Sequence, residues 1–252
     1  KLSSINEIGL EFEQFLKDVA YADCEELIFV LSGTTYVQDI RANRPIRLTN
    51  YFIRNNIPVI FSYHRWNRNE EIPEYTGNLL FQIPIDITLQ MMDRISKIDS
   101  INNKMFMISY PHKAIPKILN RFRIKNWKCI YDARDDWEEF QKVGQAKWYN
   151  SSNEKYIVRN SDYVTAVSQV LADKLQQFEP IHPVIVNRNA LAEEFLSETY
   201  KKVKSKQRIV GYFGHLTGSW FDWDRLIEIA GLRPEIKFEI IGHSEPKNLQ
   251  LP

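Results

Sequence analysis

The sequence predicts an α/β protein built on a parallel β-sheet, and three observations carry that reading. Short continuous apolar runs of strand length recur along the chain. Segments of helical periodicity separate most of them, which is the pattern of a parallel sheet covered on both faces. The rhythm breaks once, at a polar, lysine-rich stretch, and then restarts, which divides the chain in two.

Taken in order, Ile5, Ile8, Phe12, Phe15 and Val19 recur at helical spacing, so residues 3–20 predict an amphipathic helix. "ELIFVLSG" follows as a strand ending in Ser-Gly. "RPIRLTNYFIRNN" predicts a helix with Pro45 in its first turn, where a missing N–H costs nothing. "IPVIFSYH", "LLFQIP", "KMFMISYP", "WKCIYDA" and "DYVTAVS" are further strands. Helical patterns fall at 86–98, 113–122, 136–160 and 168–178. "HPVIVNRNA" adds another strand and "ALAEEFL" a short helix. Residues 197–206, within "SETYKKVKSKQ", lack apolar periodicity and read as a linker between a domain at 1–196 and a second unit at 207–252. That unit holds "RIVGYFGHL", "WFDWDRLIEIAG" and "IKFEIIGH": two strands and one helix, too little for a core of its own, so it reads as the opening of a truncated domain.

Composition narrows the function classes. A net charge of +1 over 252 residues, with no run of lysine and arginine, gives no electrostatic footprint for nucleic acid. Cys24 and Cys129 lie far apart, the second inside an apolar strand, which fits a reducing compartment better than a disulfide framework. No stretch approaches the roughly 20 apolar residues of a spanning helix. Glutamates interrupt the apolar positions at the start, which therefore does not read as a secretory signal. Without an initiating Met, the chain reads as processed or cut from something longer. Cytoplasm is the expected location.

Working loops of an open parallel sheet lie at the carboxyl ends of its strands. Five of those ends carry chemistry: Ser32-Gly33-Thr34, Tyr63-His64-Arg65, Ser109-Tyr110-Pro111-His112, "YDARDDW", and Asn187-Arg188-Asn189. In "YDARDDW", residues 131–137, Asp135 or Asp136 can cap the helix that follows, which leaves Asp132, the last strand carboxylate, as the expected functional one. The Asp-x-x-Asp-Asp spacing, with no nearby His or Cys, does not make a metal site, and no metal or cofactor is expected. Asp222-Trp223-Asp224 opens a helix and reads as a cap. "GYFGHLTGSW" places Gly211, Gly214 and Gly218 between a strand and a helix, where backbone amides approach an anion, yet neither a dinucleotide nor a P-loop pattern fits. His64, His112, His215 and His243 each follow an apolar run, where a lone His is more often a surface or satisfied polar group.

Three stretches nevertheless resemble the GT-B glycosyltransferases, in particular the family-four-like bacterial enzymes that build capsule, teichuronic acid or surface-layer glycans. They are "ANRPIRLTNYFIRNNIPVIF", "CIYDARDDWEEF…EKYIVRNSDYVTAVSQVLADKL" and "IVGYFGHLTGSWFDWDRLIEIAGLRPEIKFEIIG". The resemblance implies two Rossmann-like domains, the first taking the acceptor and the second, truncated here, the nucleotide sugar. It implies a retaining, metal-independent transferase that moves a sugar from a nucleotide-sugar donor to a glycan or lipid-linked acceptor, with peripheral attachment at the inner face of the membrane. The roles it suggests are catalytic for Asp132, Asp135 and His112; donor-binding for Gly214, His215, Thr217 and Trp220; and acceptor-binding for Gly33, Arg44 and Arg47. Many relatives carry Arg and Lys where this chain has His215 and Trp220. The other reading is a non-catalytic sugar-binding or assembly module of a larger polysaccharide-synthesis protein.

Overall fold

The computed structural model describes residues 5–38, 43–65, 67, 69–191, 207–247 and 249. The chain divides into two compact units, Lys1–Ala190 and Leu191–Pro252. The expected linker at 197–206 and most of the expected short helix at 190–196 lie outside the described residues.

In the first unit every apolar run becomes a strand of one parallel sheet: β1 (Glu26–Leu31), β2 (Val59–Tyr63), β3 (Leu80–Pro84), β4 (Asn103–Ile108), β5 (Trp127–Ala133), β6 (Tyr163–Ala166) and β7 (Ile185–Val186). The spatial order is β3-β2-β1-β4-β5-β6-β7, compatible with a Rossmann-like fold. The order reverses between β1 and β4, both parallel partners of neighbouring strands. At that reversal the connections leave in opposite directions, opening a crevice at the strands' carboxyl ends.

Successive side chains of a strand point to opposite faces, so a strand buried on both must be apolar throughout. Leu27, Phe29 and Leu31 of β1 enter the larger core with Phe106, Trp127, Cys129 and Tyr131. The helices α1 (Ile5–Tyr21), α3 (Ile85–Ser96), α4 (Ile115–Ile124), α6 (Ser151–Asn160) and α7 (Gln169–Gln176) supply the rest of that core through Phe12, Met91, Leu119, Ile157 and Leu171. Ile28 and Val30 face the other way, with Val59, Phe61 and Met107, under Ile46 of α2 (Arg44–Arg54).

One helical expectation needs correction. Residues 136–160 form two helices, α5 (Trp137–Lys142) and α6, instead of one. Gly144 adopts φ +80°, a left-handed conformation that ends a helix cheaply. Asn150 then caps α6 by accepting from the Asn153 N–H at 3.1 Å. The break lets α6 bring Glu154 into the core, where it accepts from the phenols of Tyr131 at 2.5 Å and Tyr149 at 2.7 Å. Burial raises the Glu154 pKa, and the two tyrosine hydrogen bonds oppose this without cancelling it.

The second unit consists of β8 (Arg208–His215), α8 (Trp223–Leu232) and β9 (Ile236–His243), with the two strands parallel. Leu216 and Trp223 are its buried residues among those described, joined by a hydrogen bond from Trp223 Nε1 to the Leu216 carbonyl at 2.8 Å.

The Glu154 network yields a pH test. A carboxyl whose pKa is raised by folding stabilises the native state below its unfolded value, about 4.3, and loses that contribution as pH climbs through the raised value. Wild-type stability relative to Glu154→Gln is therefore expected to fall between pH 4 and pH 7 in urea titrations. A difference that grows with pH contradicts the burial account.

Candidate functional site

Gly33 and Tyr110 meet at the crevice between β1 and β4. Gly33 has φ +61°, and a Cβ added there would lie 2.5 Å from the Tyr110 ring. A side chain is thus excluded twice, by backbone conformation and by space. The expected acceptor role of Gly33 has a sufficient structural explanation: the loop must turn beneath an aromatic ring that lies across the switch point. The neighbouring loops are tied down as well. Ser32 Oγ donates to the Ser62 carbonyl at 2.7 Å, and the His64 N–H donates to the Thr34 carbonyl at 2.6 Å.

The three carboxylates of "YDARDDW" have different fates. Asp132 is buried and receives a forked pair of hydrogen bonds from Arg44, Nε to Oδ2 at 2.8 Å and an Nη to Oδ1 at 2.9 Å. Thr165, its in-register neighbour on β6, donates a third at 2.7 Å. Asp132, the carboxylate expected to be left for chemistry, has its charge compensated and both oxygens engaged. Arg44, expected to bind acceptor anions, is the compensating cation. It also reaches the Arg188 carbonyl and Asn189 Oδ1, at 3.4 and 3.3 Å. Arg47 lies on the exposed side of α2. Asp136 caps α5, accepting from the Glu139 N–H at 3.2 Å, and pairs with Lys174 at 2.7 Å. Asp135 remains. Among the described residues its close cation is Arg134, at 3.5 Å, too long for a well-formed hydrogen bond. Burial raises its pKa, and the charge of Arg134 offsets part of that rise.

Around Asp135 the structure assembles residues that spacing alone does not single out. The Arg134 guanidinium stacks 5.4 Å over the Trp137 ring. Trp137 packs 5.2 Å from Trp148, and Trp148 meets Tyr110 edge-on at 5.5 Å. Trp148 is 47% exposed, so this aromatic chain begins in the core and ends in solvent. Arg134 Nε, Trp137 Nε1 and Ser109 Oγ are buried without a hydrogen-bond partner among the described residues. Each such group carries a desolvation cost of about 1–3 kcal/mol, and three in the loops after β4 and β5 mark a built feature of this rim. The Ser-Tyr-Pro-His strand exit was legible as a loaded end. The Trp148 contact was not, because it depends on where the 143–150 loop folds back.

His112 is half-buried at the same rim. The Ala114 N–H donates to its Nδ1 at 3.2 Å, which makes Nδ1 an acceptor and places the proton of the neutral ring on Nε2. Burial lowers its pKa, followed by the charges of Lys113 and His64. His112 therefore offers an Nε2–H donor to a ligand in this arrangement.

In the second unit the Gly-rich turn after β8 leads into α8. Asp222 caps that helix, accepting from the Arg225 N–H at 3.0 Å, as expected for the opening of a helix. An open cavity of about 520 Å³ lies at this end, lined by Gly218, Trp220, Asp222, Asp224 and Pro246. Of the four expected donor-binding residues, Trp220 lines it. Gly214 and His215, with Gly211, lie within β8 instead of between strand and helix, and Thr217 follows in the turn; none of these lines the cavity. In the first unit a smaller cavity of about 200 Å³ lies at the amino-terminal edge of the large sheet, beside Glu26, Asn103 and Lys128.

Among the described residues no helix is long and apolar enough to cross a membrane. No protein-family model and no curated protein matches the sequence.

The His112 geometry predicts a low titration point. Following its Cε1–H resonance with pH should give a midpoint below the ordinary imidazole value of about 6.5. Because the folded-state pKa is depressed, His112 contributes stability above about pH 6.5 that is lost as pH falls towards the folded value. A midpoint at or above 6.5 contradicts the burial account.

Proposed function

We propose that the chain carries the acceptor-binding unit, and the opening of the donor-binding unit, of a GT-B glycosyltransferase. On this reading it moves a sugar from a nucleotide-sugar donor to a glycan or lipid-linked acceptor in bacterial surface-polysaccharide synthesis. The observation that carries the reading is the rim around Asp135. A half-exposed tryptophan, Trp148, is joined through Trp137 to a buried guanidinium that neighbours a carboxylate of raised pKa, and through Tyr110 to an imidazole N–H donor. A saccharide presents just this pairing of needs: apolar C–H faces that pack on an aromatic ring, and hydroxyls that require both donors and acceptors.

In this proposal Trp148 packs against one face of the acceptor sugar. Asp135 accepts a hydrogen bond from the attacking hydroxyl, and its raised pKa suits it to share that proton as the bond to the donor forms. His112 Nε2–H holds a neighbouring oxygen. Arg134 supplies positive charge close to Asp135. The turn after β8 and the first amides of α8 receive the diphosphate, since a helix N-terminus carries about half a positive charge. Rate then comes from positioning and from charges fixed before the reaction begins. The sequence motifs that resemble GT-B enzymes support the same assignment.

The engagement of Asp132 favours the second reading, a sugar-binding module without catalysis, to this extent: one of the three expected catalytic side chains serves the fold. The two readings separate on transfer. The full-length protein is incubated with a panel of nucleotide sugars, and nucleoside diphosphate release is followed. Asp135→Asn is expected to lower turnover by about 10²-fold with little change in melting temperature, and Trp148→Ala to raise the acceptor KM about tenfold, equivalent to about 1.4 kcal/mol. A protein that releases no nucleotide from any donor, while still binding saccharide through Trp148, is a binding module.

A further inference from the structure

Two arginines are buried at the carboxyl rim of the large sheet, and their surroundings differ. Arg44 places its fork on Asp132, with bonds of 2.8 and 2.9 Å. The Arg134 side chain is 12% exposed and lies 3.5 Å from Asp135, and its Nε hydrogen-bonds nothing among the described residues. Its guanidinium carbon lies 5.4 Å from the centroid of the Trp137 ring. Stacking on an aromatic face holds the plane of a guanidinium and leaves its edge of N–H donors for a planar acceptor.

Two further buried groups at these strand exits lack partners among the described residues. Trp137 Nε1 belongs to the ring beneath Arg134, and Ser109 Oγ follows the end of β4. β4 and β5 pair in parallel with Ile108 beside Tyr131, so the exits that lead to Ser109 and Arg134 are neighbours. Arg134 Nε and Trp137 Nε1 donate and cannot accept, whereas Ser109 Oγ can do either. Their missing partner must therefore bring acceptors. A sugar hydroxyl accepts, but it has its own proton to place. A carboxylate or a phosphate ester accepts through several oxygens, and its charge-assisted bonds are roughly twice as strong as neutral ones. That charge also answers a guanidinium which Asp135 meets only at a distance.

We propose that Arg134, Trp137 and Ser109 form a subsite for an oxyanion borne by the acceptor saccharide, so that the rim takes an acidic sugar in preference to a neutral one. This rests on the reading of the rim as a saccharide site and adds the chemical class of the ligand. Trp148 packs on the apolar face of the sugar, and the anionic substituent reaches the Arg134 edge and the Trp137 N–H. Asp135 shares the guanidinium and repels a second anion, which limits the preference to about tenfold.

The test is an NMR titration of the isotopically labelled 252-residue chain, followed through its tryptophan indole N–H signals. Trp137→Phe and Trp148→Phe assign the two signals. The ligands are methyl glucoside, glucuronate and glucose 6-phosphate, with acetate and inorganic phosphate as anions without a sugar, all at constant pH and ionic strength. An acidic sugar is expected to shift both signals and to bind about tenfold more tightly than methyl glucoside. The stronger of the two acidic sugars tells a carboxylate from a phosphate. Arg134→Gln should remove the preference and leave methyl glucoside binding within about twofold. Ser109→Ala carries the same test should Arg134→Gln not fold: it weakens the acidic ligand alone, with a melting temperature equal to or above wild type, since an unpaired buried hydroxyl costs stability. Equal affinity for neutral and acidic sugars, or a preference that survives these substitutions, overturns the proposal and leaves the saccharide reading standing. A Trp137 signal that responds to acetate or phosphate, with no sugar response at Trp148, keeps the oxyanion subsite and sinks the saccharide reading. A Trp137 signal that no ligand moves overturns the proposal.

Discussion

The fork between Arg44 and Asp132 holds the working edge of the large sheet together. Arg44 opens α2, which covers one face of the sheet, and Asp132 ends β5, so the pair joins a helix to a strand 88 residues away. Thr165 brings in β6 through Asp132, and the contacts of Arg44 with Arg188 and Asn189 bring in the segment after β7. Both charges are nearly lost to solvent, at 10% and 3% exposure. Removing either partner strands the other, which typically costs about 3–5 kcal/mol, whereas replacing both costs far less.

That constraint sorts the acidic residues of a single strand exit. Asp132 belongs to the clamp and Asp136 to the cap of α5 and to Lys174. Asp135 is left beside Arg134, in a setting desolvated enough to raise its pKa, and Arg134 in turn lies over Trp137, which packs on Trp148. The chemistry proposed for this rim depends on the clamp indirectly. With α2 and β6 fixed, the short run from Ala133 to Trp137 has few ways to turn, and Asp135 points where the turn sends it.

Local pattern carried most of the fold. The strands announce themselves because a parallel strand buried on both faces is apolar at nearly every position, as in "ELIFVL", and the amphipathic spacing of residues 5–19 marks α1 equally well. The break between α5 and α6 was visible in Gly144 and in the Asn-Ser-Ser start of α6, although apolar periodicity ran across it. The site was less legible, for a physical reason. Which carboxylate is engaged depends on partners such as Arg44 and Thr165 that are distant in sequence and set by strand register. The place of Gly33 under Tyr110 depends on β1 and β4 being neighbours, which their order along the chain does not reveal.

A double-mutant cycle on Arg44 and Asp132 tests this account most directly, using urea unfolding of Arg44→Ala, Asp132→Ala and the double variant. If the clamp organises the rim, each single variant loses about 3 kcal/mol or more and the double variant is scarcely worse than either, giving a coupling of at least about 2 kcal/mol. Losses that add within about 0.5 kcal/mol would show two independent surface charges and contradict it.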